Sequence, residues 1–136
     1  MKTKLENVKP KEIETRSFEI ITEELGDKKL QPGTELIVKR CIHTSADFDY
    51  ADNLYFSKDA VSKAIEAIKH GACIVTDTQM VKAGINKKAL AKFGGEVYCF
   101  MSDEDVAKNA KSAGSTRAAA SMEKAAKLGK PVIFAI

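Results

Sequence analysis

The chain has 136 residues, 44% of them apolar and 30% charged, with 22 basic against 19 acidic side chains and a formal charge of +3. One globular domain is expected, and a balance this even, with no basic run longer than two residues, argues against a nucleic-acid partner. No apolar stretch approaches the roughly 20 residues of a membrane span and the first ten residues lack the apolar core of a signal peptide, so no membrane partner is expected and the default location is the cytoplasm.

The first element reads as a helix over 10–25, with Pro10 near its start and Gly26 just past its end. Ile13, Ile20 and Ile21 define one apolar arc, widened by Phe18 and Leu25. Ser17 projects inward between Ile13 and Ile20, and Arg16 flanks the same face. An inward serine in a helix either bonds back to its own backbone or offers its hydroxyl to something in a cleft.

A polar turn over 27–34 leads to ELIVKRCIHTSADFD, residues 35–49. Leu36, Ile37, Val38, Cys41 and Ile42 form an apolar, β-branched run that suits a strand covered on both faces. His43 then falls at the strand's carboxyl end, followed by the loop chemistry of Thr44, Ser45, Asp47 and Asp49. Open α/β sheets bind ligands outside the carboxyl ends of their strands. His43 is thus either a strand-capping histidine or the titratable group of a site.

Ser57 is expected to cap a helix running to Lys69, with Gly71 ending it. His70, in its last turn, is explained by the helix dipole. Residues 72–76 (ACIVT) read as a second buried strand, ending in Asp77, Thr78 and Gln79 before Met80, Val81, Gly84 and Ile85. A short helix over about 86–93 ends at Gly94 and Gly95, and 97–101 (VYCFM) is a third strand. Ser102, Asp103 and Glu104 open a helix that Gly114 breaks. Ser115 caps another through Leu128, with Ala118, Met122, Ala125 and Ala126 inward. Residues 131–136 (PVIFAI) are a fourth strand.

Four strands alternating with helices point to βαβ units and a wholly parallel sheet with helices on both faces. The expected order places 36–42 between 72–76 and 97–101, with 131–136 at an edge. Cys41, Cys73 and Cys99 are odd in number, lack CxxC spacing and sit in apolar runs, so they read as buried free thiols. The chain has no GxGxxG or GxxxxGK[ST] loop, no GxSxG elbow and no HExxH pair, which removes nucleotide-binding, serine-hydrolase and zinc-peptidase readings.

Four groups of residues, in order along the chain, resemble the precorrin-8X methylmutase (precorrin isomerase) family of cobalamin biosynthesis. They are Pro10, Glu12, Ile13, Glu14, Ser17, Phe18, Ile20 and Ile21; then Arg40, Ile42, His43, Thr44, Ala46, Asp47 and Phe48; then Gly71, Ile74, Asp77, Met80, Val81, Gly84 and Ile85; then Thr116, Arg117, Ala118 and Ala119. The resemblance implies a three-layer α/β/α, flavodoxin-like fold and a homodimer. It implies an isomerase that moves a methyl group from ring carbon 11 to ring carbon 12 of precorrin-8X, or of its cobalt form, to give hydrogenobyrinate or cobyrinate. It implies no metal or organic cofactor in the enzyme. The position of His43 is the family's proton donor and acceptor, and that of Ser17 contacts substrate. Family members continue beyond the equivalent of Ile136 with a Gly-Asn-Ala-Pro-Thr-Ala segment. The resemblance therefore implies that 1–136 is a single domain, C-terminally truncated relative to the family, with four of five strands.

The reaction so implied is a suprafacial 1,5-sigmatropic shift, favoured when the macrocycle is protonated. A histidine titrating near neutral pH can lend and recover that proton, worth about 10²–10⁴-fold. The substrate's acetate and propionate groups call for arginines, hydroxyls and backbone N–H groups. Arg117 and Thr116 open a helix where a cation opposes the dipole, an arrangement that carboxylate binding would offset. Arg40 precedes the end of the expected strand, and Arg16 flanks Ser17. Asp47 either orients His43 or closes a loop turn. Asp77 and Met80 fall at the second strand's carboxyl edge, on His43's side of the expected sheet, and the matched motifs add Thr44 and Gly84. Besides the isomerase, a non-catalytic corrinoid-binding or dimerising module stays open. A phosphoacceptor receiver-like domain shares the fold class but needs a lysine at a late strand end, which 131–136 lacks.

Overall fold

The structure, a computed structural model, describes residues 6–136. The chain forms two compact units, one ending at Val61 and the other spanning Ser62–Ile136.

The first unit is helical. It holds α1 (Ile13–Leu25), α2 (Glu35–Ser45) and the single turn α3 (Tyr50–Asn53). The α1 helix follows the sequence expectation, stopping at Gly26, whose φ is +52°. The stretch read as the first strand, 36–42, is instead the body of α2. The apolar run misled because it also satisfies a helical period. Val38 and Ile42, four apart, are 2% and 1% exposed, while Leu36 and Ile37 are 73% and 40% exposed. Lys39 and Arg40 fit an amphipathic helix better than a strand buried on both faces. Thr34 precedes the helix, its carbonyl accepting from the Ile37 and Val38 N–H groups at 3.0 Å. Ala46, left-handed at φ 56°, ends it. Ile21, Val38 and Ile42 form the core of the unit, with Leu25, Leu30, Phe48, Leu54 and Phe56 packed round them. Burying each such side chain contributes about 1.5–3 kcal/mol.

The second unit is entered through α4 (Ala60–Lys69), inside which the division falls. It continues with β1 (Cys73–Thr76), α5 (Gln79–Gly84), α6 (Lys87–Ala91), β2 (Val97–Tyr98), α7 (Glu104–Ser112), α8 (Arg117–Ala126) and β3 (Val132–Ala135). The sheet is wholly parallel in the order β2-β1-β3. Ile74 pairs with Val97 on one side of β1 and with Ile133 on the other. The α/β class with a parallel sheet therefore stands, with three strands among the described residues rather than four. With 36–42 helical, the expected order fails and β1 takes the centre, which its burial explains: Cys73, Val75 and Thr76 are 0% exposed. The 131–136 strand lies at an edge, as expected, with Phe134 45% exposed.

Caps fix the helix starts on this unit. The side chains of Thr78, Asn86 and Thr116 accept from the N–H groups of Val81, Ala89 and Ala119. Thr116, not Ser115, is thus the cap of α8. Its buried face is Ala120, Ser121 and Ala125, whereas Ala118 and Ala126 face outward. The α5 helix, over a stretch to which the sequence reading assigned no element, follows directly from the Thr78 cap. Gly95 permits a close approach: a Cβ there would lie 2.5 Å from the Ala72 carbonyl oxygen. Cys73 and Cys99 are buried free thiols as expected, while Cys41 is half-buried on α2. Among the described residues no helix is long and apolar enough to cross a membrane.

Candidate active site

The deepest chemistry of the first unit lies where α1 and α2 cross. The Ser17 hydroxyl on α1 and His43 Nδ1 on α2 are 2.8 Å apart. Both are half-buried and line a cleft of about 370 Å³. Its apolar wall comes from Val8, Ile13, Ile20, Ile21, Ile42 and Phe48, and its polar rim from Glu6, Arg16 and Glu24. The exposed isoleucines Ile13 and Ile20 of α1 are therefore cleft walls, 53% and 37% open to solvent. His43 sits in the last turn of a helix, not at a strand end, and the structure brings it against the inward Ser17, two residues the sequence reading singled out separately. With Nδ1 held by Ser17, Nε2 is the ring nitrogen left without a hydrogen bond among the described residues. Such an imidazole can pass a proton at Nε2 while Ser17 fixes its orientation.

The other candidates of this unit divide. Arg16 Nε and Nη2 donate to the two Glu6 carboxylate oxygens at 2.9 Å, and Nη1 donates to Glu19 at 3.1 Å. These bonds raise the Arg16 pKa and hold the Glu6 carboxyl below the usual range. Arg40 Nη2 donates to Glu14 Oε1 at 2.8 Å, and its guanidinium carbon lies 5.1 Å from the Phe18 ring centroid. Thr44 is exposed and bonds back to its own helix, at 2.8 Å from the Arg40 carbonyl. Asp47 closes a loop turn by accepting from the Asp49 N–H at 2.9 Å, so the loop alternative describes its bonding.

In the second unit, Asp77 follows β1 directly and Met80 lies in the first turn of α5, 82% exposed. Gly84 is the last residue of α5. The Asp77 Oδ1 oxygen is buried without a hydrogen-bond partner among the described residues. The residue as a whole is half-buried. Thr116 caps α8, and Arg117 beside it is exposed, with no ion pair among the described residues. Placing Asp77 and Met80 on His43's side rested on a shared set of strand ends, and that premise lapses because His43 is on a helix.

Sequence reading passed over Glu6, Val8 and Glu24, which also line the cleft. Glu6 precedes α1 and carries no periodic signal; only its contact with Arg16 marks it. Ile42 was read as strand filling, whereas its position one residue before His43 makes it both core and cleft wall.

The family model for precorrin-8X methylmutase matches residues 12–136. The chain is 46% identical over 129 residues to the cobalt-precorrin-8 methylmutase of Priestia megaterium, covering 95% of this chain and 57% of the relative. It is 43% identical over 119 residues to that of Salmonella typhimurium, covering 84% and 57%. Among solved structures, the precorrin-8X methylmutase of Thermus thermophilus superposes with a TM-score of 0.77 at 36% identity, over 88% of this chain and 57% of that one. A precorrin-8X methylmutase related protein superposes with a TM-score of 0.76 at 25% identity, over 87% and 61%. The chain thus spans a little over half the length of these relatives.

Proposed function

Because this chain belongs to the precorrin-8X methylmutase family, we propose that it carries the proton-transfer part of a methylmutase: an isomerase moving a methyl group from carbon 11 to carbon 12 of a precorrin-8 macrocycle. The observation that carries this reading is the Ser17–His43 pair set in an apolar cleft. A 1,5-methyl shift makes and breaks carbon–carbon bonds within one molecule, so a protein contributes by shaping the ring and by moving a proton. His43 lends a proton from Nε2 to a pyrrolic nitrogen, which makes the π-system electron-poor and favours migration; the same nitrogen recovers it afterwards. General acid catalysis of this kind supplies about 10²–10⁴-fold. The isoleucine wall keeps water from the proton's path and takes one edge of the ring. Cobalt, where present, belongs to the substrate: the two sequence relatives above are named for cobalt-precorrin-8 and the two solved structures for precorrin-8X.

On motif grounds, Arg117, exposed at the start of α8 and without an ion pair among the described residues, and Asp77 are assigned to substrate contacts. The former takes a carboxylate, and the latter accepts from an N–H or amide-like donor. Arg16, Thr44, Met80, Gly84 and Thr116 are retained as substrate-binding candidates on motif grounds. The match across 12–136 supports reading both units as parts of one methylmutase domain. A homodimer and a cytoplasmic location complete the proposal.

The test is to mix the protein with cobalt-precorrin-8 and, separately, with precorrin-8X and to record visible spectra. Conversion to the corrin chromophore supports the isomerase. A stable bound species without conversion replaces it with a corrinoid-binding module.

A further inference from the structure

Three side chains, Glu14, Phe18 and Arg40, form a brace behind the Ser17–His43 pair across the helix crossing. Glu14 and Phe18 are one turn apart on α1, and Arg40 and His43 are one turn apart on α2, so each pair shares a helix face. Three contacts link them in series. Arg40 Nη2 donates to Glu14 Oε1 at 2.8 Å. The Arg40 guanidinium lies 5.1 Å from the Phe18 ring centroid. The Phe18 and His43 rings meet in a T-shaped arrangement, centroids 5.8 Å apart at 68°. We propose that Arg40 is a positioning residue: held by Glu14, it pins the Phe18 ring against His43 and so fixes the imidazole plane that the Ser17 hydroxyl needs to hold Nδ1.

Ser17 alone leaves the imidazole free to swing, because one hydrogen bond sets a nitrogen's place but not the ring's tilt. Phe18 supplies the second constraint, and a phenyl ring on a helix surface needs a lid of its own. Arg40 is that lid. Its planar guanidinium stacks over an aromatic face while its donors stay available to a carboxylate, which a lysine at this position would do less well. An isolated surface ion pair such as Glu14–Arg40 contributes little to stability, so the brace orients a ring without measurably stabilising the fold. The inference rests on His43 being the proton carrier, and it reassigns Arg40 away from direct contact with a substrate carboxylate.

The test needs no turnover. The chain contains two histidines, His43 and His70, and His70 Nδ1 lies 2.7 Å from the Glu66 carbonyl at the end of α4, which makes it an internal control. With ¹⁵N- and ¹³C-labelled protein, the ring resonances and tautomer ratio of both residues are read by NMR in the parent, Phe18→Leu, Arg40→Met, Arg40→Lys and Glu14→Gln. Arg40→Met is expected to move the His43 ring resonances in the same direction as Phe18→Leu and to shift the tautomer ratio toward a mixture. Glu14→Gln gives a smaller change of the same sign, and Arg40→Lys restores part of the parental signal. His70 stays at its parental positions throughout. His43 resonances and tautomer ratio unchanged in Arg40→Met, or moved equally with those of His70, overturn the proposal. Failure of the spectral assay with either precorrin, alongside the NMR pattern expected here, removes the function and leaves the brace.

Discussion

Replacing Ile42 and Leu36 separately by alanine distinguishes a helical 35–45 from an extended one. On a strand, residues 36 and 42 are six apart and share a face, so both truncations would cost alike. On α2 they do not: Ile42 is 1% exposed beside Ile21 and Val38, and Leu36 is 73% exposed. Ile42→Ala removes three carbons from a filled site, about 2.4 kcal/mol at about 0.8 kcal/mol per methylene. The cavity left behind raises the cost into the roughly 2–5 kcal/mol range. Leu36→Ala removes carbons already in water and exchanges leucine for a slightly better helix former, so its effect stays within about 0.5 kcal/mol. Urea denaturation followed by far-UV circular dichroism measures both, with the slope checked for equality among the three proteins. Equal destabilisation by the two substitutions, or an Ile42→Ala cost under about 1 kcal/mol, would refute the helical assignment.

Three further outcomes are expected. Glu6, Glu14, Glu66 and Glu96 are held below their ordinary 4.5, chiefly by hydrogen bonds from Arg16, Arg40, Lys69 and Tyr98, and Asp105 below 3.8 by Lys124. Groups with lowered folded values bind fewer protons folded than unfolded, so stability is full above about pH 4.5 and declines as pH falls through those values, modestly because the pairs are solvent-screened; denaturation midpoints between pH 3 and 7 read this, and a midpoint that rises on acidification contradicts it. Asp77→Ala removes a half-buried carboxylate whose Oδ1 has no hydrogen-bond partner among the described residues, so thermal stability is expected to hold while corrinoid affinity falls; a loss of more than about 1 kcal/mol would make Asp77 a structural residue. Arg117→Ala should weaken corrinoid binding by roughly 1.5–3 kcal/mol and Ser17→Ala by roughly 0.5–1.5 kcal/mol, without a change in the unfolding midpoint for Arg117; titration of the bound chromophore's absorbance checks both, and an unchanged dissociation constant takes the residue out of the site.

Much of the second unit was legible because its signals are local. Short apolar runs bounded by Gly71, Gly95 and Pro131 leave room for strands of a few residues rather than helices, and the acidic start at Glu104 and Asp105 marks α7. The α2 helix was hidden by composition: Leu36–Ile37–Val38 satisfies periods of both 2 and 3.6, and what decides is whether Lys39 and Arg40 can reach water, a property of the packed state. Length gave no cue, since the run 36–42 falls within the usual range of strand lengths. Ser17 and His43 were each legible as candidates, yet their 2.8 Å contact depends on how α1 crosses α2, which no single helix encodes. Glu6 and the tie between Arg40 and Glu14 were invisible for the same reason, because the partners lie 10 and 26 residues apart.

The role of His43 is tested most directly by His43→Asn, which keeps a hydrogen bond to Ser17 and approximate shape but cannot titrate. It is compared with the parent under conditions in which the parent converts its macrocycle, with binding and conversion followed separately in the visible spectrum. Binding is expected within about tenfold of the parent, roughly 1.4 kcal/mol, because ring burial and peripheral contacts are intact. Conversion is expected to fall by at least about 10²-fold. Isomerisation by His43→Asn at the parental rate would make His43 a structural residue and contradict the account.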